Sequence, residues 1–122
     1  MKIRIKGNTV RYRLSKMEVA ALAEHGIPKE ETQFINGTLL YAIQQTEGTD
    51  LSAGFTQNMI TLYVPKAALQ QWANTKQVGI EANTQLPNGN TLYLLLEKDF
   101  KCVDPGVTED QSDYFENPQL TC

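Results

Sequence analysis

Residues 8–16 read NTVRYRLSK, and residues 58–66 read NMITLYVPK. In both stretches apolar residues recur at every second position and a helical pattern follows, which is typical of a strand leading into a helix. A second pair of similar stretches comes later in each half, NGTLLY at residues 36–41 and NGNTLY at residues 88–93. The sequence therefore predicts a duplicated unit.

The order of elements within the unit follows from local signals. Residues 2–6 and 10–14 alternate between apolar and polar side chains around a turn at Gly7 and Asn8, which predicts an opening β-hairpin. Ser15 and Glu18 have the spacing of a helix capping box, and Gly26 is a helix-ending residue. An Asn-Gly pair then predicts a second hairpin. Each half is therefore interpreted as ββαββ.

The predicted fold class is α+β. We expect the two ββαββ units to supply eight mostly antiparallel strands, arranged as a barrel or a strongly curved sheet with the two helices packed on the outside. Closure removes exposed strand edges, and eight strands are enough to close a barrel. We expect a single duplicated domain at residues 1–103, with halves at about 1–50 and 51–103, followed by an acidic tail at residues 104–122.

Charge is distributed unevenly along a chain of 122 residues with a net charge of -3. Residues 1–16 carry six basic residues and no acidic one, whereas residues 104–122 carry five acidic residues and no basic one. No stretch has the length and apolar character of a membrane span, and the N-terminus lacks the apolar run of a secretory signal. We therefore expect a cytoplasmic protein that does not contact membranes.

The opening hairpin contains the predicted ligand-binding residues. Alternate residues of a strand point to opposite faces, so five cations are expected on the face away from the core: Lys2, Arg4, Lys6, Arg11 and Arg13. Tyr63 lies at the repeat position that matches Arg13 and joins this set. Such a face is suited to a phosphate or carboxylate ligand. Two other interpretations use the same residues: a solvated edge whose charges prevent aggregation, and a face neutralised by the acidic tail.

Three carboxylates, Glu81, Glu97 and Asp99, have the phase to lie on the same polar face. They are the weak candidates for catalytic residues. Carboxylates near bases can hold a divalent cation beside a phosphate, but the sequence favours salt bridges with the basic residues. Two cysteines and one histidine do not provide a zinc site. No metal site and no cofactor is predicted, and Mg or Mn enters only with the hydrolase hypothesis.

The order of strands and helices resembles that of the CYTH or triphosphate-tunnel fold, in which a duplicated unit forms an eight-stranded barrel with a charged lumen. The resemblance implies an anion-binding interior. Members of that family begin with an alternating acidic motif, Glu-x-Glu-x-Lys, whose carboxylates bind metal. Here the corresponding strand reads KIRIK at residues 2–6, so both metal-binding carboxylates are missing.

A second resemblance covers nearly the whole chain. The opening MKIRIKGN, the Trp72-Ala73 helix and EKDFKC at residues 97–102 are similar to an uncharacterised family of small bacterial proteins. The closing segment with Glu109, Asp110 and Asp113 shares this similarity. The resemblance implies a single-domain protein and no particular activity.

Three function hypotheses follow. The first is a small cytoplasmic domain that binds a phosphate-containing small molecule on the basic hairpin. The second is a tunnel-type, metal-dependent phosphohydrolase, and the third is a protein-interaction module. The sequence favours a binding protein over an enzyme. Nucleic acid is disfavoured as a partner because the net charge is negative and no aromatic residue shares the basic face of the hairpin.

Overall fold

The computed structural model describes residues 1–26, 28–100, 113, 115 and 116. These residues form eight strands and two helices. In chain order the elements are β1 (Lys2–Lys6), β2 (Thr9–Leu14), α1 (Lys16–His25), β3 (Lys29–Phe34), β4 (Gly37–Thr46), β5 (Ser52–Thr56), β6 (Met59–Pro65), α2 (Lys66–Asn74), β7 (Gly79–Gln85) and β8 (Thr91–Lys98).

Tight turns join consecutive strands into hairpins. Gly7 in the β1–β2 turn has a φ of 54°, a conformation that glycine adopts without a steric penalty. Gln57 and Asn58 in the β5–β6 turn both have positive φ, as a two-residue hairpin turn with primed geometry requires. The predicted Asn-Gly turn is displaced by one residue, because Gly37 pairs with Phe34 and leaves Ile35 and Asn36 in the turn.

The strands form two four-stranded sheets. The first sheet has the order β1-β2-β8-β7, and the second has the order β5-β6-β4-β3. Within each sheet, two antiparallel hairpins meet through a parallel pair, β2 with β8 and β6 with β4. The prediction of one eight-stranded barrel or curved sheet is therefore wrong. Within residues 1–26 and 28–100, no strand pairing joins the two sheets, so the closed barrel of the triphosphate-tunnel fold is not formed there either.

The physical reason lies in how the edges are protected. Closure was expected because it removes exposed strand edges, but charged side chains on an edge strand achieve similar protection against pairing with another chain. The edge strand β1 carries three cations, and the edge strand β3 carries Lys29, Glu30 and Glu31. The sheet edges at β1 and β3 therefore do not need closure for protection.

The two sheets share one plan. Each takes one hairpin from residues 1–50 and one from residues 51–103. When β1, β2 and β8 are matched to β5, β6 and β4, the registers coincide, so that Val10 beside Leu94 corresponds to Ile60 beside Tyr41. Tyr93 therefore matches Leu40, one residue away from the match suggested by the sequence, because the β7–β8 loop contains an additional residue.

The core lies where the apolar faces of the two sheets meet the helices. Fully buried side chains from both sheets and both helices form one cluster, represented by Tyr12, Leu62, Leu22 and Trp72. The Tyr12 hydroxyl donates to the Ile60 carbonyl oxygen at 3.1 Å and so connects the sheets. The helices were predicted on the outside of a barrel, but they contribute buried residues to a core that both sheets share.

Helix α1 is capped as the sequence predicts. The Ser15 hydroxyl accepts from the Glu18 backbone N–H, and the Glu18 carboxylate accepts from the Ser15 N–H. Gly26 ends the helix with a φ of 93° and donates to the Leu22 carbonyl oxygen. Helix α2 begins after Pro65 without a side-chain cap. No helix in the described part of the chain is long and apolar enough to cross a membrane.

The inner faces of the sheets separate at the end where the hairpin turns lie, opposite the helices. Burial falls along β2 from Leu14 and Tyr12, which are inaccessible to solvent, to the partly exposed Val10. An apolar cleft of about 450 Å³ opens there between the sheets. Its lining residues are Ile5, Val10, Leu39, Ala53, Gly54, Phe55, Ile60 and Leu92.

Most of the predicted acidic tail, together with Cys102, lies outside the described residues. Asp113 accepts hydrogen bonds from the backbone N–H groups of Lys16 and Met17, in the first turn of α1. Phe115 donates from its backbone to the Asp99 carbonyl oxygen at 2.7 Å, and its ring meets that of Phe100 edge to face. These contacts of Asp113 and Phe115 attach the described tail residues near the helix end of the first sheet.

Candidate anion-binding face

The five predicted cations share the outer face of the first sheet, as strand alternation requires. The register of β1 and β2 places Lys2 beside Arg13, Arg4 beside Arg11, and Lys6 beside Thr9. The same alternation turns Ile3 and Tyr12 towards the core. The outer face of β8 adds Tyr93, Leu95 and Glu97 to these rows, and β7 adds Glu81.

The row nearest the helices is neutralised. The Arg13 guanidinium lies 2.5 Å from a Glu97 carboxylate oxygen, and the Lys2 amine lies 3.0 Å from an Asp99 oxygen. Asp99 is 7% exposed, so Lys2 compensates a carboxylate that is almost removed from water. Two of the five cations therefore have acidic partners within the first sheet and the residue that follows it.

The rows nearer the turn are different. Arg4, Lys6 and Arg11, together with Gly7 and Thr9, line an open concavity of about 460 Å³. Within the described part of the chain, no ion pair involves Arg4, Lys6 or Arg11. Arg4 and Arg11 are direct cross-strand neighbours, an arrangement that destabilises a sheet when the charges are alike. An anion in the concavity would relieve this repulsion.

The remaining acidic side chain on this face, Glu81, is held by a tyrosine. The Tyr93 hydroxyl donates to a Glu81 carboxylate oxygen at 2.6 Å. This hydrogen bond raises the pKa of the Tyr93 phenol above its ordinary value. In the register, Leu95 lies between Arg11 and Glu81, so an apolar side chain separates the nearest free guanidinium from this carboxylate.

The three candidate catalytic carboxylates each have a partner. Glu97 pairs with Arg13, Asp99 with Lys2, and Glu81 with Tyr93. Among residues 1–26, 28–100, 113, 115 and 116, no group of three or more His, Cys, Asp and Glu side chains is arranged to hold a metal ion. The geometry gives no support to a metal-dependent hydrolase at this face.

The structure does not bring Tyr63 to the basic residues. Tyr63 lies on β6 in the second sheet, beside Ser52 and Gln44. Its ring lies where a Cβ atom added to Gly54 would meet it at 3.5 Å. The repeat predicted the correct face of its strand, but that face belongs to the other sheet.

Sequence reasoning missed Thr9 and Gly7 as lining residues and Tyr93 as the partner of Glu81. Thr9 shares its row with Lys6, and its hydroxyl donates to the Lys6 carbonyl oxygen at 2.6 Å, which fixes the ends of β1 and β2 at the turn. The signal for Tyr93 was present, because Tyr93 and Glu97 are in phase along β8. Its contact with Glu81 could not be predicted in the same way, because it depends on the register between β7 and β8.

The fold and the face together define a small α+β domain with two open sheets and a cationic concavity on one of them. The chain belongs to DUF7009, a family of unknown function, whose model matches residues 1–119. This confirms the expected resemblance to an uncharacterised family. Comparison with curated proteins and with solved structures finds no match.

Proposed function

We propose that this domain binds a phosphate-containing small molecule through Arg4, Lys6 and Arg11. One observation carries the proposal. These three cations face one concavity without a carboxylate partner in the described part of the chain, whereas Lys2 and Arg13 on the same face have partners. This asymmetry supports the concavity, rather than the whole basic face, as the proposed binding surface.

The residue types suit an anion with several oxygens. A guanidinium presents a planar fork of donors that matches two phosphate oxygens, and an ammonium adds a compact point charge. Arg4 and Arg11 stand side by side across the β1–β2 pair, so two guanidinium groups are available to one phosphoryl group. The concavity of about 460 Å³ is within the size range of small-molecule sites, which favours an organic phosphate or a diphosphate over a single phosphate ion.

The test compares pyrophosphate binding by the wild-type protein with binding by two matched variants, measured by isothermal titration and by thermal unfolding. We expect the Arg4→Gln Arg11→Gln variant to lose binding, because each charge-assisted hydrogen bond contributes about 1.5–3 kcal/mol. We expect Arg13→Gln to retain it, because Arg13 is engaged by Glu97. Pyrophosphate at about a hundred times its dissociation constant should stabilise the wild type by about 2.7 kcal/mol.

Two results contradict the proposal. One is a wild-type protein that pyrophosphate neither binds nor stabilises. The other is an Arg13→Gln variant that loses as much affinity as the double variant, since general charge would then explain the binding. Binding should also weaken as salt is added, because exposed charges are screened over about 8–10 Å at ordinary ionic strength.

A further inference from the structure

The four edge strands of the two sheets differ in how they are protected. β1 carries Lys2, Arg4 and Lys6, β3 carries Lys29, Glu30 and Glu31, and β7 carries Glu81. The fourth edge strand, β5, reads SAGFT and contains neither a charged residue nor a proline. An edge strand without these features is a template for pairing with another strand.

Among the described residues, the backbone of β5 has no pairing partner on the side away from β6. The strand pairs with β6 around a two-residue turn, so Thr56 and Met59 flank that turn. In such a hairpin the flanking pair is hydrogen-bonded and the pairs then alternate. Ser52, Gly54 and Thr56 therefore bond to β6, while Ala53 and Phe55 direct their N–H and C=O groups away from the sheet.

The side chains of the same two residues face the apolar cleft. Ala53 is partly buried against the core, whereas Phe55 is 66% exposed. Both line the cleft between the sheets. The free edge and the cleft mouth thus meet along one strand, and a strand added there would place its inward side chains over the cleft.

We propose that β5 is a homodimer interface, in which β5 pairs antiparallel with β5 of a second copy of this chain about a twofold axis at Gly54. This register pairs Ser52 with Thr56, Ala53 with Phe55, and Gly54 with its own counterpart. It is the antiparallel register that pairs every residue of Ser52–Thr56 within the strand. The result is one continuous eight-stranded sheet across the dimer.

The strand is complementary to itself in this register. Phe55 of the partner subunit lies opposite Ala53 at the cleft mouth, so a large ring meets a small side chain at both ends of the interface. On the outer face, two hydroxyl residues, Ser52 and Thr56, lie opposite each other, a pairing that supports sheets. Gly54 brings no side chain to the axis, where two identical residues must meet.

The matching strand of the first sheet cannot pair in this way. The residue on the axis of a β1–β1 pair would be Arg4, which matches Gly54, and the flanking residues would be Lys2 and Lys6. Six like charges would then face one another. This difference in charge commits the interface to β5, and it leaves the anion site on the first sheet outside the interface, so either proposal can fail alone.

The first experiment measures molar mass by light scattering during gel filtration. We expect the wild type to be a dimer and Phe55→Lys to be a monomer with unchanged circular dichroism, because Phe55 is exposed in one copy. Ile5→Lys is the matched control, since Ile5 holds the same position on β1 and is 54% exposed. It should remain a dimer. A monomeric wild type, or a dimer that survives Phe55→Lys, overturns the proposal.

The second experiment tests the register by cross-linking in a Cys102→Ser Cys122→Ser background. Non-hydrogen-bonded antiparallel pairs have Cα atoms about 4.5 Å apart, which is compatible with a disulfide. Gly54→Cys should therefore form a disulfide-linked dimer on mild oxidation. Thr56→Cys should not, because its neighbour in the partner subunit is Ser52. Efficient cross-linking of Thr56→Cys, or none of Gly54→Cys, overturns the interface centred on Gly54.

Discussion

The two sheets have the same strand order and register but carry different side chains on their outer faces. Arg4 and Arg11 of the first sheet correspond to Gly54 and Thr61 of the second. The inner faces, in contrast, are apolar in both sheets and supply one core. The inner positions of the two sheets are thus alike, while their outer and edge positions differ. Our two proposals, an anion on the first sheet and another strand on the second, depend on those differences.

The C-terminal ends of the two helices are each bound by a side chain from one of the sheets. Lys98 at the end of β8 and Gln45 on β4 hold matching positions. The Lys98 amine donates to the Thr75 carbonyl oxygen at the end of α2, and the Gln45 amide donates to the Leu22 carbonyl oxygen in the last turn of α1. Each sheet therefore satisfies a C-terminal carbonyl of one helix, once with a charged group and once with a neutral one.

The largest expected effect comes from the residue that connects the sheets. Tyr12 is fully buried and donates to the Ile60 carbonyl oxygen, whereas its counterpart in the second sheet is the apolar Leu62. We expect Tyr12→Ala to lower the free energy of unfolding by about 3–5 kcal/mol, as large-to-small core substitutions do. Tyr12→Phe keeps the packing and should cost about 1–2 kcal/mol for the lost hydrogen bond.

Urea unfolding of the variants measures both effects. Arg13→Gln is the control, because Arg13 is the next residue along β2 and points outwards, and it should change the free energy of unfolding by less than about 1 kcal/mol. A cost below about 1 kcal/mol for Tyr12→Ala would show that the sheets do not depend on this residue for their contact.

A smaller effect distinguishes the edge strands β7 and β5, each of which contains one glycine. A Cβ atom at Gly79 would lie 2.9 Å from the Leu96 carbonyl oxygen, which is backbone and cannot move without shifting a strand. At Gly54 the nearest atom would be a Tyr63 side-chain carbon at 3.5 Å, an ordinary contact. We expect Gly79→Ala to destabilise by about 1–3 kcal/mol and Gly54→Ala to stay within about 0.5 kcal/mol.

Thermal unfolding at low protein concentration compares these two variants without a contribution from self-association. Equal effects of the two substitutions would contradict the difference in backbone approach at the two edges.

Sequence alternation was sufficient for the local features and for the faces. The Ser15–Glu18 capping box, the turn at Gly7 and the outward direction of Arg4 and Arg11 all follow from neighbours in the chain, so local rules identify them. Sheet membership is a non-local property. Strand phase placed Tyr63 on an outer face, but no local pattern states that β6 pairs with β4 rather than with a strand of the first sheet.

The sequences of two central strands contain a signal for the parallel pairs. β8 reads TLYLLLEK and β6 reads MITLYVP, and both are more continuously apolar than the edge strands. Strands buried on both faces have this character, and it is typical of central parallel strands. The division of the five cations into paired and unpaired members depended on Glu97 and Asp99 reaching Arg13 and Lys2, which required the β2–β8 register.

The smallest expected effect is on the pH dependence of stability, which distinguishes the charged helix contact of Lys98 from the neutral one of Gln45. Lys98 is a residue that is 4% exposed, and burial lowers the pKa of its amine, which faces the rings of Trp72 and Phe115. Between the lowered pKa in the folded protein and the ordinary pKa in the unfolded chain, the unfolded chain binds more protons. The contribution of Lys98 to the free energy of unfolding therefore rises with pH in that interval.

Lys98→Gln installs the side chain that the second sheet uses at this position, and it removes the titrating group while leaving an amide to donate to Thr75. We expect the wild type to gain stability relative to this variant as the pH rises towards the ordinary lysine pKa of about 10.4, as measured by urea unfolding of both proteins at several pH values. Groups that titrate in both proteins, such as the N-terminal amine and Tyr93, whose pKa values are raised in the folded protein, cancel in this comparison. Identical pH profiles for Lys98→Gln and the wild type would show that the Lys98 amine is solvated rather than buried. The contact of Lys98 with Thr75 would then differ from that of Gln45 with Leu22 in burial as well as in charge.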